Sequence, residues 1–214
     1  MLSLLNAENF EQLEEYNLAS CPFESFNNWY HEAKLGCPGY DAMVVSSIDV
    51  KTMTPNSRSV LIKSFSNSNR EFKIIFYSHY NGVKGSEFNS NSQVALLFYW
   101  HSLGKQVRLK GSIVQTDTLF SDQYFSSRDK MSQAVTVASN QSQPIKSKRD
   151  LIEKVNNVII KHKHADISRP NTWGGFEVTI NEVEFLQLGA YRMSDRFKFI
   201  QDGDNKWNIH RLSP

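Results

Sequence analysis

Val94-Ala-Leu-Leu-Phe-Tyr-Trp100 and, beyond His101-Ser-Leu-Gly104, Lys105-Gln-Val-Arg-Leu-Lys-Gly-Ser-Ile-Val-Gln-Thr116 are the stretch from which the fold is read. The first run is apolar with no polar alternation, which predicts a strand covered on both faces: a central barrel strand or, as favoured here, a strand beneath a subunit interface. The second run alternates. Gln106, Arg108 and Lys110 share one face and Val107 and Leu109 the other, so one face should line a site or a wet interface. Working outward, residues 42–50, 59–64 and 72–78 are further runs rich in Val, Ile, Phe and Tyr, broken by Asn/Gly/Ser/Pro turns. A meander of strands from about residue 42 to 116 follows.

The period then changes. Helices are expected at about 117–127, 130–139 and 147–163, the last opening at Ser147 with Asp150 three residues on and carrying Leu151, Val155, Val158, Ile159 and His162 on one stripe. Strands return at 175–180, 182–188, 196–201 and 207–212, the last two joined through Asp202-Gly-Asp-Asn205. Residues 1–36 read as an acidic, helix-leaning lead-in whose Phe23, Phe26, Trp29, Tyr30 and Ala33 dock on a larger body. Strands, helices, then strands make an α+β protein: a mostly antiparallel β-barrel with appended helices.

The chain of 214 residues is long enough for one well-cored domain and contains no linker-like or charge-block division. Cys21 and Cys37 are too few for a disulfide framework, and no Cys/His spacing suggests a zinc site. His162 and His164 read as a pair at a helix end, where the dipole favours them, and no metal is expected. A reduced, cytoplasmic protein is expected, with no signal peptide in Met1-Leu-Ser-Leu-Leu and no membrane span. The formal net charge of +2 is too small to argue for nucleic acid. Any anion must be gripped locally.

Four groups of residues are candidates for a binding site. Tyr124, Arg128 and Ser132 are spaced i, i+4, i+8, so a helix that continues or restarts smoothly presents a phenol, a guanidinium and a hydroxyl to one point, with Ser132 also able to cap a new helix. That is a phosphate clamp; the plain alternative is a solvated arginine beside a half-buried tyrosine. Arg58 and Lys63, at the ends of Ser59-Val-Leu-Ile62, face opposite ways on an ideal strand and should contact different groups unless a bulge intervenes, or simply protect a sheet edge. Tyr77-Ser78 and Lys84-Gly85 flank a turn able to hold an anion through amides and an ammonium. Arg192 and Arg196 bracket Ser194-Asp195, either as a surface ion pair or as guanidinium planes for a flat heterocycle. Nucleophile-elbow, Rossmann and Walker fingerprints are lacking, which argues against hydrolase and nucleotide-loop chemistry.

Arg58-Ser-Val-Leu-Ile-Lys63, Gln106-Val-Arg-Leu-Lys-Gly111, Tyr124-Phe-Ser-Ser-Arg128, Gln141-Ser142, Trp173-Gly-Gly-Phe176 and Arg192-Met-Ser-Asp-Arg196 occur in this order. Their identities and spacing resemble the pyridoxine/pyridoxamine 5'-phosphate oxidase family, from about residue 40 to the closing Arg211-Leu-Ser-Pro214. The resemblance implies an FMN-binding split β-barrel, a homodimer with FMN at the subunit interface, and a cytoplasmic enzyme of vitamin B6 metabolism. It also implies oxidation of pyridoxamine or pyridoxine 5'-phosphate to pyridoxal 5'-phosphate, with O2 as acceptor and hydrogen peroxide as product. By the same resemblance Arg58, Lys63, Tyr77, Ser78, Lys84, Gln141 and Ser142 hold FMN, and Gln106, Leu186 and Arg196 approach its ring system. Lys63, Tyr124, Arg128 and Ser132 grip the substrate phosphate, and Arg192 and Ser194 occupy the catalytic positions over the substrate ring.

Three positions depart from the family pattern. The phosphate turn reads Gly82-Val83-Lys84 where the family commonly has Ser-Arg-Lys; one lost charged hydrogen bond of roughly 1.5–3 kcal/mol would weaken FMN binding on the order of ten- to a hundredfold. Leu186 replaces a tryptophan, and Ser194 replaces a histidine that contacts substrate. Two alternatives stay open: a related flavin oxidase acting on another heterocycle, of the phenazine-biosynthesis type, and a non-catalytic paralogue that binds FMN or pyridoxal phosphate.

Overall fold

The computed structural model describes residues 12–204 and 206–214. Glu8 and Glu11 of the expected lead-in, and Asn205 of the expected hairpin turn, lie outside the described residues. In chain order the elements are α1 (Pro22–Gly36), β1 (Ala42–Asp49), β2 (Thr54–Leu61), β3 (Ser64–Ser68), β4 (Glu71–His79) and α2 (Val83–Ser90). They continue with β5 (Gln93–Trp100), β6 (Lys105–Gln115), α3 (Thr118–Ser127), α4 (Lys130–Ala138), α5 (Lys148–Lys161), β7 (Trp173–Gln187), β8 (Asp195–Gln201) and β9 (Trp207–Leu212).

The strands form one antiparallel sheet ordered β2-β1-β5-β6-β7-β4-β3, with β8 on the far half of β7 and β9 outside β8. The sheet curls until the β2–β3 junction meets β4, where the Lys63 amide donates to the Ile75 carbonyl at 2.9 Å. Met43, Val45, Leu96, Phe98, Val107, Leu109, Phe76 and Val178 fill the interior, each at most 1 % exposed. One end is plugged by α1, which starts on Pro22, a residue pre-set for a first helical turn. Phe26, Trp29 and Ala33 share its inward face. The Phe26 ring lies 5.1–5.3 Å from those of Phe65, Phe72 and Phe98, so truncating it to alanine would cost about 3–5 kcal/mol. A second, smaller core of Phe125, Ala134, Val155, Ile167 and Trp173 seats α3, α4 and α5 over the start of β7.

The later helices fall where the periodicity places them, and Ser147 caps α5 through its hydroxyl oxygen. Four expectations change. Val94–Trp100 alternates after all: Val94, Leu96, Phe98 and Trp100 point inward, while Tyr99 is 52 % exposed. Small and apolar outward residues hid that alternation, and within one chain only one face is covered. The expected strand 59–64 belongs to β2, which ends at Leu61 because Ile62 turns into the core and its amide bonds the Asp41 carbonyl. The two strands at 175–180 and 182–188 are one strand, β7, with an irregularity at Asn181 opposite Lys110/Gly111. There the inward parity switches from Phe176, Val178 and Ile180 to Val183 and Phe185, which a single extra residue accomplishes. Finally, the turn expected around Lys84 continues into α2.

Candidate functional site

A cavity of about 840 Å³ opens between β2, β4, the start of α2, the α3–α4 junction and the 141–142 loop. That size suits a cofactor or a drug-sized ligand. Arg58, Lys63, Lys84 and Arg128 line it, against Asp129 as the one carboxylate on the wall among the described residues. One oxygen of Asp129 is engaged in capping α4, for its carboxylate accepts the Ser132 amide at 2.9 Å. The cavity wall therefore carries positive charge of the kind that meets phosphate oxygens.

Lys84 sits in the first turn of α2, whose amides have no side-chain cap and whose Val83 and Lys84 face the opening. An uncapped helix start draws anions through its free N–H groups and dipole. The Lys84 ammonium is buried and donates to the Ser78 hydroxyl at 3.0 Å and to Gln141 Oε1, both neutral acceptors. Burial, and then the neighbouring Arg58, hold its pKa below the usual lysine value, with Glu87 partly opposing them. An arriving phosphate would supply the missing counter-charge. Gly85 is obligatory here: a Cβ would stand 2.1 Å from the Tyr80 carbonyl oxygen. Ser142, next to Gln141, is held in the left-handed region at φ 69°.

Arg58 is not loose. Its guanidinium donates to the Ser47 hydroxyl at 2.6 Å and to Glu87 at 2.8 Å, and Glu87 also accepts from Ser47 at 2.5 Å and Asn56 at 2.6 Å. Burial pushes the Glu87 carboxyl up, but the bonds from Ser47, Arg58 and Asn56 outweigh it and hold it below the usual range. Arg58 and Lys63 line the same cavity, contrary to the opposite facing expected of a straight strand, because the chain leaves β2 between them.

Tyr124, Arg128 and Ser132 also meet at this cavity, but by a different geometry from a smooth helix. α3 stops at Ser127, Arg128 is extended at φ −79° and ψ 151°, and α4 restarts behind an Asp129 cap. Asp129, not Ser132, is thus the capping residue, and Ser132 lies in the first turn. Gln133 ties the break together by donating to the Phe125 and Arg128 carbonyls at 3.0 Å each. Tyr77, Tyr124 and Trp173 stack as an aromatic wall, the first two with centroids 3.9 Å apart. The Arg128 guanidinium lies over Trp173 at 4.8 Å. Burial, and then the adjoining Tyr124, raise the Tyr77 pKa, so its phenol stays a neutral donor.

The remaining expected residues lie elsewhere. Gln106, Leu186 and Arg196 form one row across β6, β7 and β8. Arg196 donates twice to Glu184 Oε1, at 3.0 and 2.8 Å, and to the Ser213 carbonyl at 2.9 Å, while its chain neighbour Asp195 pairs with Arg211. Arg192 follows Tyr191 in a tight turn where both adopt positive φ, 66° and 55°, and Arg192 is exposed. Gly189 closes that turn so tightly that a Cβ would meet the Met193 oxygen at 2.2 Å. Tyr77 pairs with Gly175 and Gln106 with Leu186, eleven residues along β7; at about 3.3 Å per residue the two groups are roughly 36 Å apart along the strand.

Glu87, Thr136, Trp173 and the α2 amides were not singled out as functional from sequence. Only Trp173 carried a signal, as part of Trp173-Gly-Gly-Phe176; Glu87 acts through Arg58, 29 residues away, and Thr136 through Arg128 across the break between α3 and α4.

Residues 32–160 match the family model described as pyridoxamine 5'-phosphate oxidase, and residues 173–214 match the one described as the pyridoxine 5'-phosphate oxidase C-terminal dimerisation region. The chain is 38 % identical over 204 residues to a pyridoxine/pyridoxamine 5'-phosphate oxidase of Flavobacterium johnsoniae, covering 94 % of this chain and 93 % of that protein. It is 36 % identical over 203 residues to the same-named protein of Pseudoalteromonas translucida, with the same coverage of both chains. Among solved structures it superposes on PhzG of Burkholderia lata in complex with tetrahydrophenazine-1-carboxylic acid with a TM-score of 0.87, at 21 % identity over 97 % of this chain and 100 % of that one. A pyridoxamine 5'-phosphate oxidase-related, FMN binding protein of Nostoc punctiforme superposes with a TM-score of 0.71, at 11 % identity over 92 % of this chain and 98 % of that one. These two likenesses establish the shared split-barrel fold.

Proposed function

The chain belongs to the pyridoxine/pyridoxamine 5'-phosphate oxidase family, and from that premise we propose that it converts pyridoxamine 5'-phosphate, water and O2 to pyridoxal 5'-phosphate, ammonia and hydrogen peroxide, and oxidises pyridoxine 5'-phosphate likewise. The carrying observation is the cavity lined, among the described residues, by four cations and one carboxylate, which suits two phosphorylated heterocycles better than one neutral ligand. The same clamp counts against a substrate without phosphate and so against the phenazine-type alternative.

FMN is the cofactor, and the donor set fits it: a buried ammonium with only neutral acceptors, an uncapped helix start and a fixed guanidinium. Lys84, Arg58, the Tyr77-Ser78 pair and Gln141-Ser142 hold its phosphate side, and Lys63 borders both ligands. Bound FMN supplies the redox chemistry, taking a hydride equivalent from the substrate carbon and returning the electrons to O2. Lys63, Tyr124, Arg128 and Ser132 fix the substrate phosphate, and with it the distance from phosphate to reacting carbon. Gln106, Leu186 and Arg196 border the flavin ring, and Arg192 and Ser194 cover the substrate ring.

Those last five side chains stand at and beyond the far end of β7, too far to reach this cavity in their own chain. A homodimer resolves this, and the match of residues 173–214 to a dimerisation region supports it: the same cluster of a second copy completes each site. The outward Tyr99, Leu97 and Ala95 of β5 would then be covered. The whole chain acts as one oxidase unit. No helix among the described residues is long and apolar enough to cross a membrane, and a cytoplasmic location is proposed.

The test is direct. Protein loaded with FMN and freed of oxygen is mixed with pyridoxamine 5'-phosphate; the flavin absorbance should bleach, and admitting air should restore it with release of peroxide. Flavin that stays bound and yellow would refute the oxidase reading and favour a binding role.

A further inference from the structure

Arg128 carries the substrate-phosphate clamp, yet nothing in its own sequence context tells how its fork is aimed. In the ordinary case a carboxylate holds such a guanidinium, as Glu87 holds Arg58. Among the described residues no carboxylate pairs with Arg128: the adjacent Asp129 gives one oxygen to the α4 cap and feels Arg128 only through its charge. One face of the guanidinium lies 4.8 Å from the Trp173 ring, and one edge donates from NH1 to the Thr136 hydroxyl at 2.7 Å. Thr136 is 5 % exposed and does not line the cavity. Its single hydroxyl proton is used on the Ser132 carbonyl at 3.0 Å, one helical turn back. The oxygen's lone pairs are therefore left for Arg128, and two members of the clamp, Arg128 and Ser132, are tied through one atom.

Resting on the proposed oxidase reading, we infer that Thr136 is the positioning residue of the phosphate clamp, a neutral acceptor that aims Arg128 without spending its charge. A carboxylate at this place would aim the fork equally well, but it would repel the incoming phosphate and share the cation with it. A hydroxyl and a π-face orient the guanidinium and leave its charge to the ligand. The cavity is thereby graded: Arg58 is matched by Glu87 at one side, whereas Arg128 and Lys63 keep their charge at the other. Thr136 selects for the phosphorylated ligand without touching it.

The experiment uses FMN-loaded full-length protein as wild type, Thr136→Val and Thr136→Ser. The KM and kcat for pyridoxamine 5'-phosphate are measured, together with the Kd of pyridoxal 5'-phosphate by absorbance titration, with FMN content and Tm recorded alongside. T136V removes the acceptor at nearly constant volume. KM and Kd are expected to rise about tenfold, equivalent to ~1.4 kcal/mol, with kcat within about twofold and FMN content unchanged, because only ground-state phosphate binding is weakened. T136S, which restores the oxygen, is expected to behave as wild type. Unchanged KM and Kd in T136V, a fall in kcat and FMN content instead, or a T136S protein as weak as T136V would each overturn the inference. If T136V does not fold, Thr136→Ala reads the same quantities. A wild type that neither turns over pyridoxamine 5'-phosphate nor binds pyridoxal 5'-phosphate would remove the functional reading, and this inference with it; wild-type binding untouched by the substitutions would refute the inference alone.

Discussion

Replacing Glu87 by glutamine would change one atom of charge state in the network that fixes Arg58. Glu87 Oε1 accepts from Asn56, and Oε2 accepts from Ser47 and Arg58. A glutamine must turn its amide nitrogen toward one of these sets, setting donor against donor. The loss is one charge-assisted bond, roughly 1.5–3 kcal/mol, plus the repulsion. Arg58 is 19 % exposed and recovers part of this from water, so a net destabilisation of about 2 kcal/mol is expected. For a chain of this length that lowers Tm by about 4–8 °C.

The pH dependence follows from the depressed Glu87 carboxyl. A carboxyl held below its unfolded value stabilises the fold above that value, about pH 4.3, and loses the contribution as pH falls through the folded value. The Tm gap between wild type and E87Q should therefore be constant through neutral and mildly acidic pH and close below about pH 4. Thermal unfolding followed by circular dichroism reads it, with protein and FMN concentrations held fixed, since both shift an apparent Tm. A gap of about 1 °C or less at neutral pH, or one that persists undiminished in acid, would refute the assignment of Glu87 as the anchor of Arg58.

Two further substitutions probe the phosphate turn. Val83 lines the cavity and is 51 % exposed, so Val83→Arg has room to place a cation there and should tighten FMN about tenfold; a fluorescence-quenching titration measures it, and an unchanged Kd would argue that this turn does not hold the FMN phosphate. Gly85→Ala drives a Cβ against the Tyr80 and His79 carbonyl oxygens, at 2.1 and 2.9 Å. Both are backbone atoms that cannot step aside, so α2 and Lys84 should shift, with a lower Tm and little FMN retained on purification; a variant as yellow and as stable as wild type would contradict this.

The helices from residue 118 to 161, the polar face of β6 and the β8–β9 hairpin were legible in the sequence because each rests on a local period or on neighbours a few residues apart. That Tyr124, Arg128 and Ser132 converge was legible too, although their meeting at one cavity comes from a break after Ser127 and not from a smooth helix. α2 was not: its residues show no amphipathic stripe, and it is held by Phe88 in the core, Glu87 under Arg58 and Lys84 at the cavity. The single β7 strand escaped notice because its bulge changes inward parity at Asn181 and so imitates two strands.

The kind of element at most positions and the kinds of side chain able to meet a phosphate could be read from residue type and short-range spacing alone. Which of those side chains share a cavity depends on the packed fold. Arg58 and Glu87 are 29 residues apart, and Lys84 and Gln141 are 57. Such contacts arise from how the sheet curls and where α2 docks, properties of the whole packed barrel that no local window contains. For the same reason the roughly 36 Å along β7 between Gly175, the partner of Tyr77, and Leu186, on the order of eleven strand residues, could be known only once both were placed on one continuous strand.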